Sequence, residues 1–294
     1  MMRVLMGGVR VGAVLLGMAL GMPQMAQAER QTRQVDVLVL GDSQITFGAG
    51  PVLLSFFEMV NESCARYWPG GYDSGLADHP GVGIIGVRST SLRSWVSRTE
   101  SGKRMICEVD RKWRANGGSY GVLNQSENPY IQIGQGADYA FCENGKSAFE
   151  AMFAAGYYHP RLLVLTFLGN DADHWAASPE AALMEVRDTM AQLPPDLPCI
   201  FMTTPPVYRQ ATADVRSRAQ DNIMAAFAAA GSRCSVVAGH TAETLALNVG
   251  NAQHFRRRAS GAVLDPFHPT REAQAQTLMA ISGALCAAIA EQLQ

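Results

Sequence analysis

Two separated groups of polar residues carry the side-chain types that acyl transfer at a serine requires. Ser43 stands in the run Gly41-Asp42-Ser43-Gln44, directly after a short apolar stretch. A free serine hydroxyl is a weak nucleophile and needs a neighbouring base. His268 is the histidine in the most distinctive setting, and Asp265, three residues earlier, could orient its imidazole and stabilise the cationic form. The residues therefore predict a triad of Ser43, His268 and Asp265.

Acyl transfer also needs preorganised donors for the oxyanion that develops on the carbonyl oxygen. Asn170, in Gly169-Asn170-Asp171, offers a side-chain amide after another apolar run. The backbone N–H groups of Ser43 and Gly86 are candidates for two further donors. Each group taken singly could be an ordinary turn or helix cap. Their occurrence together, in this order, is what indicates a functional site.

The order of these groups resembles that of the SGNH hydrolases, also called the GDSL family. The four family blocks correspond to Gly41-Asp42-Ser43, Gly86, Gly169-Asn170-Asp171 and Asp265-Pro266-Phe267-His268. The resemblance implies a flavodoxin-like three-layer α/β/α sandwich with a five-stranded parallel sheet. It also implies serine esterase or related acyl-transfer chemistry, with no metal or organic cofactor. Two positions depart from the pattern: Gln44 stands where leucine is common, and Gly83 rivals Gly86 for the second block.

Predicted strands and helices alternate along the chain. Short apolar runs predict strands at 35–40, 83–86, 162–167, 199–204 and 235–238. Helical spacing of apolar residues, and the candidate cap Ser178, predict helices at 52–67, 179–192, 212–230 and 270–293. Such alternation favours a mostly parallel sheet covered on both faces, with its ligand site beyond the carboxyl ends of the strands. Ser43, Arg88 with Ser89, and Asn170 follow the first three predicted strands.

The N-terminal segment has the three parts of a secretory signal peptide. Arg3 and Arg10 precede an apolar run at 11–22, and the small-x-small site Ala26-Gln27-Ala28 follows. We expect cleavage after Ala28 and a periplasmic or secreted protein with one domain over 29–294. An uncleaved anchor helix is the alternative, although the run is shorter than the roughly 20 apolar residues of a membrane span. No later segment is predicted to cross a bilayer.

Six cysteines follow the predicted cleavage site, and in an exported protein an even number favours disulfides. Sequence alone does not choose among the 15 possible pairings of six cysteines. The expected pairs are Cys107–Cys142, Cys199–Cys234 and Cys64–Cys286, and buried free thiols are the alternative.

The polar stretch at about 96–145 lacks convincing periodicity and is interpreted as an insertion over the sheet's carboxyl edge.

The charge and polarity of the sequence limit the classes of molecule that the protein is expected to bind. The net charge of −2 gives no basic field for a nucleic acid backbone. The run Arg256-Arg257-Arg258 is interpreted as a solvated face, with contact to an anionic substrate as the lesser alternative.

Because the insertion is polar and no large apolar lid is present in the sequence, we expect a small acyl ester, acetyl first, on a carbohydrate or cell-wall glycan. The alternatives are an O-acyltransferase to a glycan and a catalytically silent glycan-binding module. The sequence does not indicate the oligomeric state.

Overall fold

The computed structural model describes residues 35–68, 70–97, 119–122, 145–154 and 156–294, with backbone only at 119–122. The predicted signal peptide at 1–28 lies outside the described residues, as does most of the predicted insertion at 96–145. Cys107 and Cys142 fall in that undescribed part. The expectations for these segments therefore stay predictions.

A six-stranded sheet forms the centre of the described chain. Its strands are β1 Val37–Gly41, β2 Val82–Val87, β3 Ser119–Val122, β4 Leu162–Thr166, β5 Cys199–Met202 and β6 Ser235–Val237. The spatial order is β3-β2-β1-β4-β5-β6. Five strands are parallel, and β3 pairs with β2 in the antiparallel direction at one edge. The five parallel strands alone follow the 2-1-3-4-5 order of flavodoxin-like sheets, so the predicted sheet is confirmed; β3 was not predicted.

Helices follow or connect the strands. They are α1 Gly50–Glu58, α2 Val60–Ala65, α3 Leu92–Val96, α4 Ala172–Ala177, α5 Pro179–Gln192, α6 Gln210–Ala229, α7 Ala242–Asn248 and α8 Arg271–Leu293. The described residues also contain two single π-helical turns, Ile45–Ala49 and Glu150–Ala154, and a 3-10 turn, Ala252–His254. The helix expected at 52–67 is divided between α1 and α2 because Met59 leaves helical geometry (φ −122°, ψ 39°). Ser178 caps α5 as predicted, since its Oγ accepts the N–H of Ala181 at 3.1 Å.

Both faces of the sheet are buried. In β1, Leu38 and Leu40 belong to the core under α5 and α6, whereas Val37 and Val39 belong to the core under α1 and α8. Successive side chains of a strand point to opposite faces, so a strand buried on both sides reads as one continuous apolar run. The result is the three-layer α/β/α sandwich that the sequence predicts.

Two disulfides are present among the described residues. Cys64 of α2 is bonded to Cys286 of α8 with a Cα–Cα distance of 5.6 Å. Cys199, the first residue of β5, is bonded to Cys234 just before β6, at 4.5 Å. Both predicted pairs are confirmed, and disulfides of this kind fit a protein that folds in an oxidising compartment.

The last helix, α8, is long and apolar enough to cross a bilayer by length and composition alone. This differs from the sequence-based expectation that no later segment would qualify. More than half of its most apolar window is buried within the protein, and Cys286 ties the helix to α2. The apolar character of α8 is therefore accounted for by packing against the sheet.

Candidate active site

Ser43 lies at the turn between β1 and the helical segment that leads into α1. The helix begins at Ser43 and passes through the π-helical turn Ile45–Ala49. Behind the serine, the carboxylate Oδ1 of Asp42 accepts the N–H of Gln44 at 2.8 Å and stabilises the turn. The first N–H groups of a helix have no partner within the helix. The N–H of Ser43 is one of these, so its position suits a donor to a bound anion.

The structure brings Ser43, His268 and Asp265 together across 225 residues of sequence. Ser43 Oγ lies 2.9 Å from His268 Nε2. On the other side of the ring, His268 Nδ1 lies 2.9 Å from Asp265 Oδ2 and 3.0 Å from Oδ1. With its proton on Nδ1, the imidazole donates to Asp265 and accepts from the serine hydroxyl. This is the alignment that a nucleophile, a base and a carboxylate orienting the base would require.

Four donors surround the carboxylate of Asp265. Besides the imidazole, it accepts the backbone N–H groups of Phe267 at 3.0 Å and His268 at 3.2 Å, and Arg256 Nη2 at 2.7 Å. Burial alone would raise the pKa of Asp265, but the hydrogen bonds from His268 and Arg256 hold it well below its ordinary value. Asp265 therefore remains ionised at any pH at which the imidazole can act as a base. The contribution of Arg256 was not predicted, because the run at 256–258 was interpreted as a solvated face.

Gln44 connects the serine turn to the histidine loop. Its Nε2 donates to the carbonyl oxygen of Phe267, and its Oε1 accepts Gln274 Nε2 of α8, both at 2.9 Å. The side chain is buried. A leucine, the common residue here in the resembled family, could make neither bond. The departure at Gln44 thus has a structural reason, since it joins the segments that carry Ser43 and His268.

Asn170 lies in the turn after β4, on the opposite side of β1 from the loop after β2. Its Nδ2 donates to the carbonyl oxygen of Thr90 at 2.7 Å, and Asp171 Oδ2 accepts the N–H of Leu92 at 2.9 Å. These bonds tie the turn that contains Asn170 to the loop after β2. One N–H of the Asn170 amide is used in this way, and the second remains for another acceptor.

Gly86 lies inside β2, opposite Gly41 of β1. A Cβ atom at Gly86 would lie 2.5 Å from the Cβ and Cγ2 of Ile45, so the missing side chain lets the helical segment after Ser43 pack against β2. This packing accounts for the glycine, and its predicted role as an N–H donor stays a prediction. In the loop that follows β2, Ser89 has φ 57°, a conformation that costs free energy for residues other than glycine. The sequence placed Ser89 after the second predicted strand, but its backbone conformation was not predicted.

Buried charged groups lie behind this edge of the sheet. Burial raises the pKa of Asp42 to about 6, against the opposing charge of Arg216. Burial, and then the neighbouring Glu185, raise the pKa of Asp171 to about 8. Arg216, whose own pKa burial lowers to about 10, approaches Gly169 so closely that a Cβ there would lie 2.7 Å from its Nη2. Such perturbed groups cluster at functional sites, which agrees with the position of Ser43.

Comparison with models of known families finds no match, and comparison with curated proteins finds none either. Among solved structures, a DUF4886 family protein from Bacteroides uniformis is 14% identical, with a TM-score of 0.43 over 90% of this chain and 83% of the other. A carbohydrate acetylesterase from Sinorhizobium meliloti is 14% identical, with a TM-score of 0.36 over 87% of this chain and 99% of the other. An aryl esterase from M. smegmatis is 11% identical, with a TM-score of 0.39 over 87% of this chain and 100% of the other. These similarities are too remote to transfer an activity.

Proposed function

We propose that this chain is a serine ester hydrolase in which Ser43 is the nucleophile, His268 the general base and acid, and Asp265 the group that orients His268. The observation that carries the proposal is the continuous hydrogen-bonded arrangement in which His268 Nε2 lies 2.9 Å from Ser43 Oγ and Nδ1 lies 2.9 Å from Asp265 Oδ2. A serine hydroxyl aligned with an oriented, neutral imidazole is the arrangement that makes serine nucleophilic.

In the first half-reaction, Ser43 Oγ attacks the carbonyl carbon of the ester while its proton moves to His268 Nε2. The carbonyl oxygen becomes an oxyanion, and its donors are the N–H groups of Ser43 and Gly86 and the side-chain amide of Asn170. The C–O bond to the alcohol then breaks, and His268 returns the proton to the leaving oxygen. The acyl group stays on Ser43 as an ester.

In the second half-reaction, a water molecule replaces the alcohol. His268 takes one proton from the water as its oxygen attacks the acyl carbon, and the same donors bind the new oxyanion. The bond to Ser43 Oγ breaks, the serine recovers its proton from His268, and the free acid departs. The ionised Asp265 stabilises the imidazolium in both halves.

We propose a small acyl group, acetyl first, on a polar carbohydrate or glycan outside the cytoplasm. The two disulfides and the predicted signal peptide support export. The polar composition of residues 96–145 supports a hydrophilic substrate, and Arg88 and Arg256 close to the triad support a polar alcohol portion.

Exposure of the mature protein to a fluorophosphonate is expected to add one adduct to the wild type and none to Ser43→Ala. The reagent phosphonylates serines that a neighbouring base activates, so an adduct that is lost in Ser43→Ala reports an activated Ser43. Intact mass measured before and after exposure, with circular dichroism to show that both proteins are folded, gives the result. A folded wild type that forms no adduct would contradict the proposal and favour the catalytically silent glycan-binding module.

Acetylated xylan or a similar acetylated polysaccharide is expected to release acetate with the wild type and not with Ser43→Ala. Among p-nitrophenyl esters, acetate should be hydrolysed faster than octanoate, because the proposed substrate carries a small acyl group. Enzymatic determination of acetate and the absorbance of nitrophenolate provide the two measurements. Preference for octanoate would overturn the small-acyl substrate, and acetylation of an added glycan by a donor ester would indicate the acyltransferase instead.

A further inference from the structure

An aromatic ring packs against the catalytic imidazole, and two guanidinium groups lie over that ring. The ring of Phe47, which belongs to the π-helical turn after Ser43, lies 4.3 Å from the His268 ring between centroids. Arg88 Cζ lies 4.0 Å from the centroid of the Phe47 ring, and Arg256 Cζ lies 5.2 Å from it. Two cations from different loops, one after β2 and one before Asp265, therefore converge on a single ring beside His268.

The charges of the two arginines are compensated unequally. Arg256 is paired with Asp265 through a hydrogen bond of 2.7 Å. The guanidinium of Arg88, within the part of the chain that the structure describes, has the Phe47 ring as a contact and no carboxylate in salt-bridge range. Burial and the like charge of Arg256 lower the pKa of Arg88, with Asp265 opposing them. Two cations near one ring, with one carboxylate bonded to Arg256, leave net positive charge that an added anion would stabilise.

The chemistry of the reaction determines which part of the substrate faces this positive charge. His268 protonates the oxygen of the departing alcohol, so that oxygen has to lie within hydrogen-bonding distance of Nε2. The alcohol portion of the substrate is then next to the imidazole and to the Phe47 ring packed against it. The oxyanion donors, including Asn170, belong to the other side of the ester carbonyl.

We propose that Arg88 and Arg256, stacked on Phe47, form a subsite for an anionic group, most simply a carboxylate, on the alcohol portion of the ester. The inference rests on the proposed ester hydrolysis and specifies its substrate class: acetyl esters of alcohols that also carry a carboxylate, such as acidic sugars. Arg88 supplies planar N–H donors that can bind a carboxylate with two parallel hydrogen bonds. Arg256 adds charge while it remains bonded to Asp265.

The test compares two esters that share the acetyl group and the aromatic ring and differ in charge, meta-acetoxybenzoate and meta-acetoxybenzamide. We expect the wild type to prefer the carboxylate ester about tenfold in kcat/KM, the scale of one hydrogen bond to a charged group in a partly exposed site. Raising NaCl from about 0.05 M to about 0.5 M should reduce this preference, because the arginines are solvent-accessible and salt screens them.

Arg88→Gln should reduce the preference to near unity, and Arg88→Lys should restore part of it, since an ammonium keeps the charge but lacks the paired donors. Arg258→Gln is the matched control, because it removes the same charge from an exposed position of the loop that carries Arg256. It should leave the preference as it is in the wild type.

The outcomes separate the inference from the function on which it rests. Turnover of both esters at equal rates by the wild type would overturn the anionic subsite and leave the esterase intact. An equal loss of preference in Arg258→Gln and Arg88→Gln would also overturn it, because the effect would then come from overall charge. Turnover of neither ester, together with absence of a fluorophosphonate adduct, would overturn the esterase and the subsite with it.

Discussion

Asp265→Asn is expected to lower kcat for p-nitrophenyl acetate by about 10⁴-fold, the scale on which loss of the orienting carboxylate acts in a serine triad. The carboxylate accepts from His268 Nδ1, so it fixes the proton on that nitrogen and leaves Nε2 free to accept from Ser43. An asparagine that turns its NH₂ towards Nδ1 would favour the opposite tautomer, in which Nε2 carries the proton. It would also remove the negative charge that stabilises the imidazolium.

The measurement is steady-state hydrolysis together with the rate of fluorophosphonate labelling, and both should fall in Asp265→Asn. Asp214→Asn is the matched control: this carboxylate accepts one hydrogen bond from Gln210 on the exposed side of α6 and should be dispensable for hydrolysis. Because Asp265 also binds Arg256, thermal unfolding of each variant has to show that the loop remains folded. A decrease of less than about tenfold in a folded Asp265→Asn protein would contradict the role assigned to Asp265.

The parts of the site that the sequence predicted are those that chemistry constrains most tightly. A serine nucleophile needs a histidine and a carboxylate, and the motif spacing left few candidates for either. The parallel sheet was predictable for a related reason, since strands buried on both faces are continuous apolar runs between helices. The structure places Ser43 and Asn170 after adjacent strands because parallel strands end at the same edge.

The parts that the sequence did not predict depend on contacts between distant segments. The hydrogen bond of Gln44 to Phe267 joins residues 223 positions apart, and Arg256 reaches Asp265 only because the loop folds back on itself. Neither residue type signals such a partner. The short helices α3, α4 and α7 have too few turns to show periodicity, and β3 pairs at an edge within a polar stretch. These elements are determined by tertiary packing more than by local pattern.

Asn170→Ala is expected to lower kcat roughly 100- to 1000-fold with a smaller change in KM, the usual effect of removing one oxyanion donor. The amide is anchored by one N–H to the carbonyl oxygen of Thr90 at 2.7 Å, so the other N–H is held in a fixed direction. A donor fixed in advance costs little reorganisation when charge develops, and its benefit is confined to the transition state. Hydrolysis of p-nitrophenyl acetate over a range of concentrations separates kcat from KM.

A second asparagine serves as the matched control for the loss of a side-chain amide. Asn222 also donates its side-chain amide to a backbone carbonyl, that of Trp175, at 2.7 Å, but it lies on α6 away from the triad. Asn222→Ala removes an equivalent amide-to-carbonyl bond and should leave kcat unchanged. If a folded Asn170→Ala kept its kcat, Asn170 would not be an oxyanion donor. A fall in kcat in a folded Asn170→Ala, with Asn222→Ala unchanged, would support Asn170 as an oxyanion donor.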